Sequence, residues 1–306
     1  MHSRTLIKNE IAAAPCEAPR NDVIVTSRFL AKARAKEAIS SRSTRENFIM
    51  GKAALSVVVI AKNEEKRLAE CLKSAEFAAE IVVLDDMSTD RTVEIAKQFG
   101  AKVFQRAMDI EGRHRNYAYG LATQPWVFSL DADERITPEL AKELAEVASR
   151  PNDPHTCYSM PVKTFIGTDW IKGGGYYPAP KTRFFKKGQF RYEEARVHPK
   201  MFYEGTCGSL KGDILHYSSP SWENWLSKFN RETGLEAEKW VKDGRKMGPW
   251  RVIRKATSRF LKYYFQKDGI VNGYTGFLMS FFHSAYQIIA FAKYRELKRA
   301  QKNASK

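Results

Sequence analysis

The amino-acid sequence predicts an α/β fold in which helices cover both faces of a mostly parallel sheet. Between residues 55 and 150, short apolar segments alternate with amphipathic helical segments. Each strand–helix unit takes about 25 residues, the spacing of a parallel, doubly wound sheet. Acidic side chains directly follow two of the apolar segments, at Asp85 and at Asp131. Because open α/β sheets bind ligands at the carboxyl ends of their strands, these positions predict the functional edge of the sheet.

Each predicted element has a local sequence signal. Runs of apolar and β-branched residues predict strands at 55–60, 81–84, 103–104 and 126–130. The first predicted helix spans 64–75, is capped by Asn63 and buries Leu68 and Leu72. The second is capped within 88–92 and ends at Gly100, and the third spans 113–122. The fourth runs from Pro138 to about residue 148 and is capped by Thr137. After Arg150, shorter strands and loops are expected to residue 216, with helices from residue 221 onward.

The chain of 306 residues is expected to have three parts. Residues 1–50 show no stable periodicity, and we interpret 1–49 as a flexible extension or an upstream start before Met50; an intact-mass measurement on the natively expressed protein tests this. Residues 51–220 are predicted to form the main α/β domain, with a first half at 51–150 and a second half at 151–220. Residues 221–306 are predicted to form a helical, basic segment that associates with a membrane.

The distribution of charge narrows the possible partners. The net charge is +16, but residues 51–240 balance at 27 basic and 27 acidic side chains, while residues 241–306 hold 15 basic and 3 acidic ones. A neutral body argues against a nucleic-acid enzyme, whose cleft would itself be basic. A basic C-terminal end indicates an anionic neighbour such as the inner leaflet of a membrane. The four cysteines are scattered without zinc-type spacing, which is typical of a reducing compartment.

Residues 269–292 form a 24-residue stretch without Lys, Arg, Asp or Glu. That length could cross a bilayer. However, Ser280, His283, Ser284 and Gln287 share one helical face, and Phe277, Phe281, Ala285, Ile288 and Ala292 share the other. A basic-flanked amphipathic helix is typical of one that lies in the membrane interface. The alternative is a helix packed on the core of the protein itself.

The segment "WVFSLDADE" carries the clearest chemical signal. An apolar strand is followed at once by Asp131 and Asp133, which can both reach one hard cation. Mg²⁺ and Mn²⁺ prefer such oxygen ligands and usually share them with substrate phosphates. A D-x-D pair alone is also common at helix N-termini, so its context decides its meaning.

The segments "VVVIAKNEE", "IVVLDDMSTD", "GRHRNYAYGLA" and "VFSLDADE" occur in that order, each at a strand end or opening a helix. Together they resemble the inverting family 2 glycosyltransferases with the GT-A fold, most strongly over residues 54–150. The resemblance implies a GT-A catalytic domain at 51–220 with a Rossmann-like, mostly parallel sheet. Its half at 51–150 would bind a nucleotide-sugar donor, and its half at 151–220 would bind the acceptor. A donor of this kind needs acceptors for its base and ribose, a cation for its diphosphate and a base for the acceptor hydroxyl.

The resemblance also assigns roles to individual residues. The positions implied to bind the donor are Ala61, Asn63, Glu64, Asp85, Asp86, Arg115 and Asp131. Asp131 would face the ribose and metal, and Asp133 the metal and diphosphate. The structural alternatives are a helix-terminus charge for Asp86 and a solvated helix face for Arg115. Lys181 and Arg183 could bind diphosphate or an anionic acceptor, or form a solvated strand edge.

In the second half, "RYEEARVHPKM", "LKGDILHYSS" and "KFNRETGLEAEKW" resemble lipopolysaccharide inner-core β-glucosyltransferases, although Pro199 replaces the glutamate of their "VHE". Inversion needs a carboxylate beside the acceptor oxygen. The candidates are Glu194, then Glu193, then Asp213, and adjacent glutamates on a strand point oppositely. His216 is a candidate metal ligand or a hydrogen-bonded core histidine, and His198 is a rival for either task.

These features predict a cytoplasmic, peripherally membrane-bound enzyme at the inner face of the cell membrane. Its donor would be a UDP-sugar, with UDP-glucose preferred, and its cofactor Mg²⁺ or Mn²⁺. Its acceptor would be a glycolipid, with the lipopolysaccharide core preferred. One alternative is a transferase for capsule, exopolysaccharide or another polyprenyl-linked glycan. Another is a non-catalytic basic scaffold. A nucleotidyltransferase is disfavoured, because "IAKNEEKR" lacks the glycine-rich loop expected after its first strand.

Overall fold

A computed structural model describes residues 51–194 and 200–304 of the chain. The predicted N-terminal extension and His198 lie outside these residues, so both remain predictions.

The first half alternates strands and helices as the sequence predicts. Its elements are β1 (Ala53–Ala61), α1 (Leu68–Ser74), β2 (Ala78–Asp85), α2 (Thr92–Gln98), β3 (Lys102–Gln105), α3 (Glu111–Gly120), β4 (Trp126–Asp131), β5 (Glu134–Ile136) and α4 (Pro138–Ala148). The predicted cap of α4 is confirmed, because the Thr137 hydroxyl accepts a hydrogen bond from the Leu140 amide and Pro138 opens the helix.

The second half begins with short strands and ends in helices. Its elements are β6 (Cys157–Met160), β7 (Val162–Ile166), β8 (Asp169–Trp170), β9 (Lys181–Lys186), β10 (Phe190–Tyr192), β11 (Met201–Tyr203), β12 (Cys207–Ser209), β13 (Ile214–Ser219), α5 (Trp222–Lys242), α6 (Pro249–Leu261) and α7 (Gly273–Ala304). A π-helical turn at Lys262–Gln266 and a 3-10 turn at Gly269–Asn272 connect α6 to α7.

The central sheet has seven strands in the order β12-β6-β9-β4-β1-β2-β3. Strand β1 runs parallel to β2 and β4, and β2 runs parallel to β3, whereas β9 is antiparallel to β4 and β6. A second sheet, β5-β13-β7-β8, lies beside it. The mostly parallel α/β prediction is therefore confirmed.

Alternate residues of β1 pack against helices on opposite faces of the sheet. Val57 and Val59 belong to an apolar cluster with side chains of α1 and α4, whereas Val58 belongs to a cluster with side chains of α3. Burial on both faces explains the uninterrupted apolar run of this strand. The carboxyl ends of β1, β2 and β4 are thereby held at one edge of the sheet.

The predicted start of the first helix is wrong. Asn63 does not cap a helix over 64–75; α1 begins at Leu68, and Asn63 adopts a left-handed φ of 53°. Its side chain instead accepts a hydrogen bond of 2.8 Å from the Thr89 amide. Asparagine tolerates this conformation better than most residues, and its amide ties the loop after β1 to the loop after β2.

The predicted polar face of the long helix α7 is turned inward, together with apolar residues of the same helix, Met279, Ala290 and Tyr294. Ser280 and Gln287 are buried, while Phe277, Phe281 and Ile288 are each more than two-fifths exposed. Ala285 departs from the predicted division, because it is buried. In the described part of the chain, no helix combines the length and apolar character needed to cross a bilayer.

Candidate active site

The residues singled out from the sequence meet at the carboxyl ends of β1, β2 and β4. The strand register places Ala61 opposite Asp85 and Ile60 opposite Asp131. Residues more than 20 positions apart in sequence therefore become neighbours at one edge of the sheet.

A cavity of about 240 Å³ opens at this edge. It is lined by Ile60, Ala61, Lys62, Glu64, Asp86, Met108, Glu111, His114, Arg115 and Asp131. Five of the predicted donor-binding residues are among them. We call this space the inner cavity.

Asp86 is the fixed acceptor of the inner cavity. Its carboxylate accepts hydrogen bonds from the Met108 amide at 2.7 Å and from Lys62 at 2.9 Å. Burial raises the pKa of Asp86, but these two hydrogen bonds outweigh that effect and hold the pKa below its usual value. Asp86 is therefore ionised at neutral pH and can accept further hydrogen bonds from a ligand.

Asp85 and Asn63 support this edge without lining the inner cavity. Asp85 is fully buried and accepts hydrogen bonds of 3.0 Å from the Ser88 amide and from Gln105. Together with the bond between Asn63 and Thr89, these contacts hold the loop that follows β2. Of the two predicted aspartates, Asp86 is the one that lines the cavity.

His114 is a cavity residue that the sequence reasoning missed. It is completely buried on α3, and neither ring nitrogen has a hydrogen-bond partner. Burial lowers the pKa of His114, so the ring is neutral, with one nitrogen that donates and one that accepts. Buried polar groups in folded proteins normally have partners, so this ring is suited to a bound ligand. The only sequence signal was its place in "GRHRN".

Asp131 is held by two arginines from different elements. Arg115 on α3 lies 3.1 Å from one carboxylate oxygen, and Arg183 on β9 lies 2.5 Å from the other. Burial raises the pKa of Asp131, but the charges of Arg183 and Arg115 hold it far below its usual range. Asp131 thus carries a permanent negative charge whose oxygens both contact cations.

Glu134 completes this network and was also missed. It is fully buried, accepts a hydrogen bond from the Asp131 amide at 3.0 Å, and lies 3.1 Å from Arg183 and 3.6 Å from Lys181. The sequence did contain a signal, because Glu134 directly follows the D-x-D pair. Its buried charge requires the cations of β9, which explains why a strand so distant in sequence carries basic residues.

Asp133 faces a different set of partners. Its Oδ2 lies 3.5 Å from Nε2 of His216 and 3.7 Å from Nη1 of Arg67. Lys228 on α5 interacts electrostatically with Asp133. The Lys228 ammonium also donates a hydrogen bond to the Ser218 carbonyl. Arg67 and Lys228 were not singled out from the sequence, since nothing local distinguishes them from other basic residues.

The pair of Asp133 and His216 fits a divalent cation that is shared with a substrate. Ligand atoms each about 2.1 Å from a metal lie roughly 3 Å or slightly more from one another, close to the observed separation. Among residues 51–194 and 200–304, no group of three or more His, Cys, Asp or Glu side chains forms a metal cage. Mg²⁺ commonly needs only one or two protein ligands when substrate phosphates and waters complete its shell.

A second cavity of about 360 Å³ adjoins the inner cavity and shares Glu111, Arg115 and Asp131 with it. Its other lining residues are Pro180, Lys181, Thr182, Arg183, Tyr192 and Met201. We call it the middle cavity. Two of its basic groups, Lys181 and Arg183, come from β9, and the third, Arg115, comes from α3. The structure therefore brings Lys181 and Arg183 to the site.

The three candidate bases have different surroundings. Glu194 is exposed and accepts hydrogen bonds of 3.1 and 2.9 Å from Arg113. Glu193 follows Tyr192 of the middle cavity, and its carboxylate accepts a hydrogen bond of 3.3 Å from the Lys200 amide. Asp213 is paired with Lys163 at 2.6 Å. Because Asp213 and His216 are three positions apart along an extended segment, their side chains point to opposite faces.

Comparison with known proteins identifies the class of this site. The model of glycosyl transferase family 2 matches residues 56–217, which include every predicted donor-binding residue. This match spans more than half of the chain. The chain belongs to glycosyltransferase family 2.

Similar proteins carry the same class name. An uncharacterised glycosyltransferase of Rickettsia typhi is 29% identical over 81% of this chain and 89% of its own length. The lipopolysaccharide core biosynthesis glycosyltransferase LpsC of Rhizobium meliloti is 27% identical over 79% of this chain and 92% of its own length.

Among solved structures, TarS of S. aureus matches 60% of this chain and 39% of its own, with 20% identity and a TM-score of 0.39. Its fragment 1–349 in complex with UDP matches 82% of this chain and 91% of its own, with 16% identity and a TM-score of 0.40. The chain thus spans about two-fifths of the longer TarS structure. Scores of this size support no conclusion about substrates.

Proposed function

We propose that this chain is an inverting glycosyltransferase that transfers a sugar from a UDP-sugar to a lipid-linked glycan. Glucose is the preferred sugar. Family membership supplies the reaction class. The observation that supports a UDP-sugar as the donor is the pair of adjoining cavities at one edge of the sheet. The inner cavity offers Asp86 and His114 as hydrogen-bonding groups for a base and ribose. The middle cavity offers Lys181 and Arg183 as cations for a diphosphate.

The proposed step is a displacement at the anomeric carbon of the donor. The acceptor oxygen forms a bond to C1, the bond from C1 to the diphosphate oxygen breaks, and its electron pair leaves with UDP. The hydroxyl proton passes to a carboxylate. Glu194 remains the preferred base and Glu193 the second, because their segment continues from Tyr192 at the wall of the middle cavity. Asp213 ranks last, because its segment does not border the middle cavity; both Asp213 and Glu194 are paired with a cation, Lys163 and Arg113 respectively.

Mg²⁺ or Mn²⁺ is the proposed cofactor, which Asp133 and His216 would hold beside the diphosphate of the donor. When bound, such an ion offsets the negative charge of the departing diphosphate. Arg67 and Lys228 add fixed positive charge at the same place. Asp131, which also belongs to the proposed metal group, is paired with Arg115 and Arg183.

The lipopolysaccharide core is the preferred acceptor, and one relative supports it. LpsC matches nearly its full length and is named for that pathway. Capsule, exopolysaccharide and other polyprenyl-linked glycans are the alternatives within the class. A non-catalytic basic scaffold is disfavoured, since it has no use for ionised Asp86 and the unpaired His114 ring inside one cavity.

The proposed location is the cytoplasmic face of the cell membrane, as a peripheral protein. The support is a concentration of exposed apolar side chains in the C-terminal helices. The exposed apolar residues of these helices and of the turns between them are Trp250, Ile253, Leu261, Phe265, Ile270, Val271, Tyr274, Phe277, Phe281 and Ile288. Basic residues of α6, among them Arg251 and Arg254, accompany them. Large apolar patches with basic neighbours suit an anionic lipid surface.

Release of UDP from a panel of UDP-sugars, with and without Mn²⁺, tests the proposal. Wild-type protein is expected to release UDP from one sugar in a metal-dependent way. Asp133→Ala should lower this rate by at least about a hundredfold, the size of effect seen when a single transition-state charge stabiliser is lost. Asp243→Ala, an exposed carboxylate at the end of α5, is the control and should behave as wild type. Equal rates in all three proteins, or no nucleotide binding by any of them, would contradict the proposal.

A further inference from the structure

A third cavity, of about 760 Å³, lies between the catalytic body and the C-terminal helices. From the body it is lined by Thr164, Tyr176, Lys181, His216, Ser218 and Ser219. From the helical segment it is lined by Trp225, Lys228, Phe229, Glu232, Glu236, Arg259, Tyr263, Met279, Phe282, His283 and Tyr286. We call it the outer cavity. The segment predicted only to bind membrane therefore forms most of its wall.

One wall of the outer cavity is a continuous group of aromatic rings. The ring of Phe229 stacks on that of Trp225 with 5.4 Å between the ring centroids, and the centroid of the Phe282 ring lies 4.8 Å from that of Trp225. Tyr286 lies 5.8 Å from Phe229. Aromatic faces carry partial negative charge and attract the weakly positive C–H groups on the flat sides of sugar rings. Such a wall suits a pyranose ring as well as it suits apolar chains.

The remaining wall is rich in hydrogen-bonding groups. Lys228, Glu232, Glu236 and Arg259 line it beside the rings. Three of these groups also have partners within the protein, since Lys228 donates to the Ser218 carbonyl, Glu232 pairs with Arg231 and Glu236 accepts from Trp240. An acyl chain beside them would displace water without replacing its hydrogen bonds, which costs free energy. A glycan supplies hydroxyl groups that donate to the carboxylates and accept from the cations. The mixed lining therefore favours saccharide over lipid.

The outer cavity continues directly into the donor site. Lys181 lines both the middle and the outer cavities. His216 lines the outer cavity and lies 3.5 Å from Asp133. A glycan in the outer cavity would therefore have one end beside Lys181 and His216, at the border with the proposed donor site.

We propose that the outer cavity is the acceptor site, that it binds the saccharide part of the acceptor, and that α5 and α7 supply its aromatic wall. This inference rests on the proposed transferase function and deepens it. It assigns the C-terminal helices a role in recognising the acceptor, in addition to membrane attachment.

The test measures binding of a deacylated lipopolysaccharide core oligosaccharide to the full-length protein without donor, by calorimetry or ligand-detected NMR. Wild type is expected to bind it. Phe229→Ala should weaken binding by at least about tenfold, the loss expected from removing one aromatic contact in a buried pocket. Leu235→Ala is the matched control, because Leu235 is an exposed apolar residue of the same helix and does not line the cavity.

A second variant keeps the test decisive if Phe229→Ala fails to fold. Glu232→Gln changes an exposed carboxylate of the cavity rim and should weaken oligosaccharide binding by at least about threefold, since hydrogen bonds to charged groups are the stronger ones. Absence of wild-type binding, or unchanged binding in the folded variants, would overturn the inference. UDP release from the donor alone is measured in parallel, so a failed acceptor site remains distinguishable from a failed transferase assignment.

Discussion

Asp131 and Asp133, only two positions apart, have different physical surroundings. The carboxylate of Asp131 is bound by two arginines and backed by buried Glu134. Asp133 lies near His216 and Arg67 at longer distances. Breaking a buried ion pair leaves an uncompensated charge and destabilises a protein by about 3–5 kcal/mol. A substitution of Asp131 would therefore lower activity both by destabilising the fold and by removing a group from the site. A substitution of Asp133 tests the role of the site residue with less effect on stability.

The unpaired ring of His114 leads to a prediction about nucleotide affinity. His114→Ala is expected to weaken UDP binding by about tenfold, because a bound nucleotide can satisfy ring nitrogens that have no other partner. Isothermal titration of UDP into each protein measures this. Tyr117→Ala on the same helix is the control, since Tyr117 is exposed and lies outside the inner cavity. Equal affinities of the His114 variant and wild type would show that the ring does not contact the nucleotide.

At the scale of elements, the Glu80 carboxylate links β2 by hydrogen bonds to residues of β1, of β3 and of the segment before β4. This buried carboxylate accepts hydrogen bonds from Ser56 on β1, from Lys102 on β3 at 2.7 Å, and from the Thr123 amide before β4 at 2.7 Å. Burial raises the pKa of Glu80, but the bonds from Lys102, Ser56 and Thr123 outweigh it and lower the pKa to about 2. This network lies outside the cavity linings given above, so it contributes to stability alone.

Glu80 therefore predicts how stability depends on pH. Because its pKa is lower in the folded than in the unfolded protein, ionised Glu80 stabilises the fold fully above about pH 4.5, and the contribution disappears as the pH falls toward 2. Glu80→Gln should lower the free energy of unfolding at pH 7 by about 3 kcal/mol, and the difference from wild type should shrink in acid. Denaturant titrations at several pH values measure this.

Glu94→Gln is the matched control for that experiment. Glu94 is more than half exposed on α2 and pairs with Arg91 at the surface. Exposed pairs of this kind contribute little to stability. A pH-independent difference between the Glu80 variant and wild type would contradict the proposed network.

At the scale of the whole molecule, the balanced charge of the body contrasts with the basic C-terminal helices. Residues 51–240 carry equal numbers of basic and acidic side chains, and most of the positive surplus follows residue 241. Exposed apolar residues occur in the same region, with Trp250 82% exposed and Tyr274 77% exposed. Charge and exposed apolar area thus coincide in one part of the fold.

This coincidence predicts reversible binding to anionic vesicles. The protein should sediment with phosphatidylglycerol-containing vesicles, and binding should weaken as salt increases, since salt screens the attraction. Trp250→Ala should weaken binding by at least about threefold, because one large buried side chain is lost from the lipid contact. Leu226→Ala, an exposed residue on α5, is the control. Equal binding to neutral and anionic vesicles would contradict the electrostatic part of the proposal.

Much of the fold could be predicted because its signals are local. The apolar runs located β1, β2 and β4 to within a few residues, and Thr137 with Pro138 located the start of α4. The cap assigned to Asn63 was wrong, because its amide found a tertiary partner in the neighbouring loop. Side chains that can satisfy either a helix end or a distant amide are ambiguous from sequence alone.

By itself, the sequence determined the class of fold, the order of the strands along the chain and the acidic residues that stand at their carboxyl ends. These follow from periodicity and from the chemistry of short motifs. Only the tertiary structure decided that Arg183 and Glu134 enclose Asp131, that Lys228 approaches Asp133, and that the polar face of α7 turns inward. Such pairings join residues far apart along the chain, and they depend on how sheets and helices pack, which no local pattern encodes.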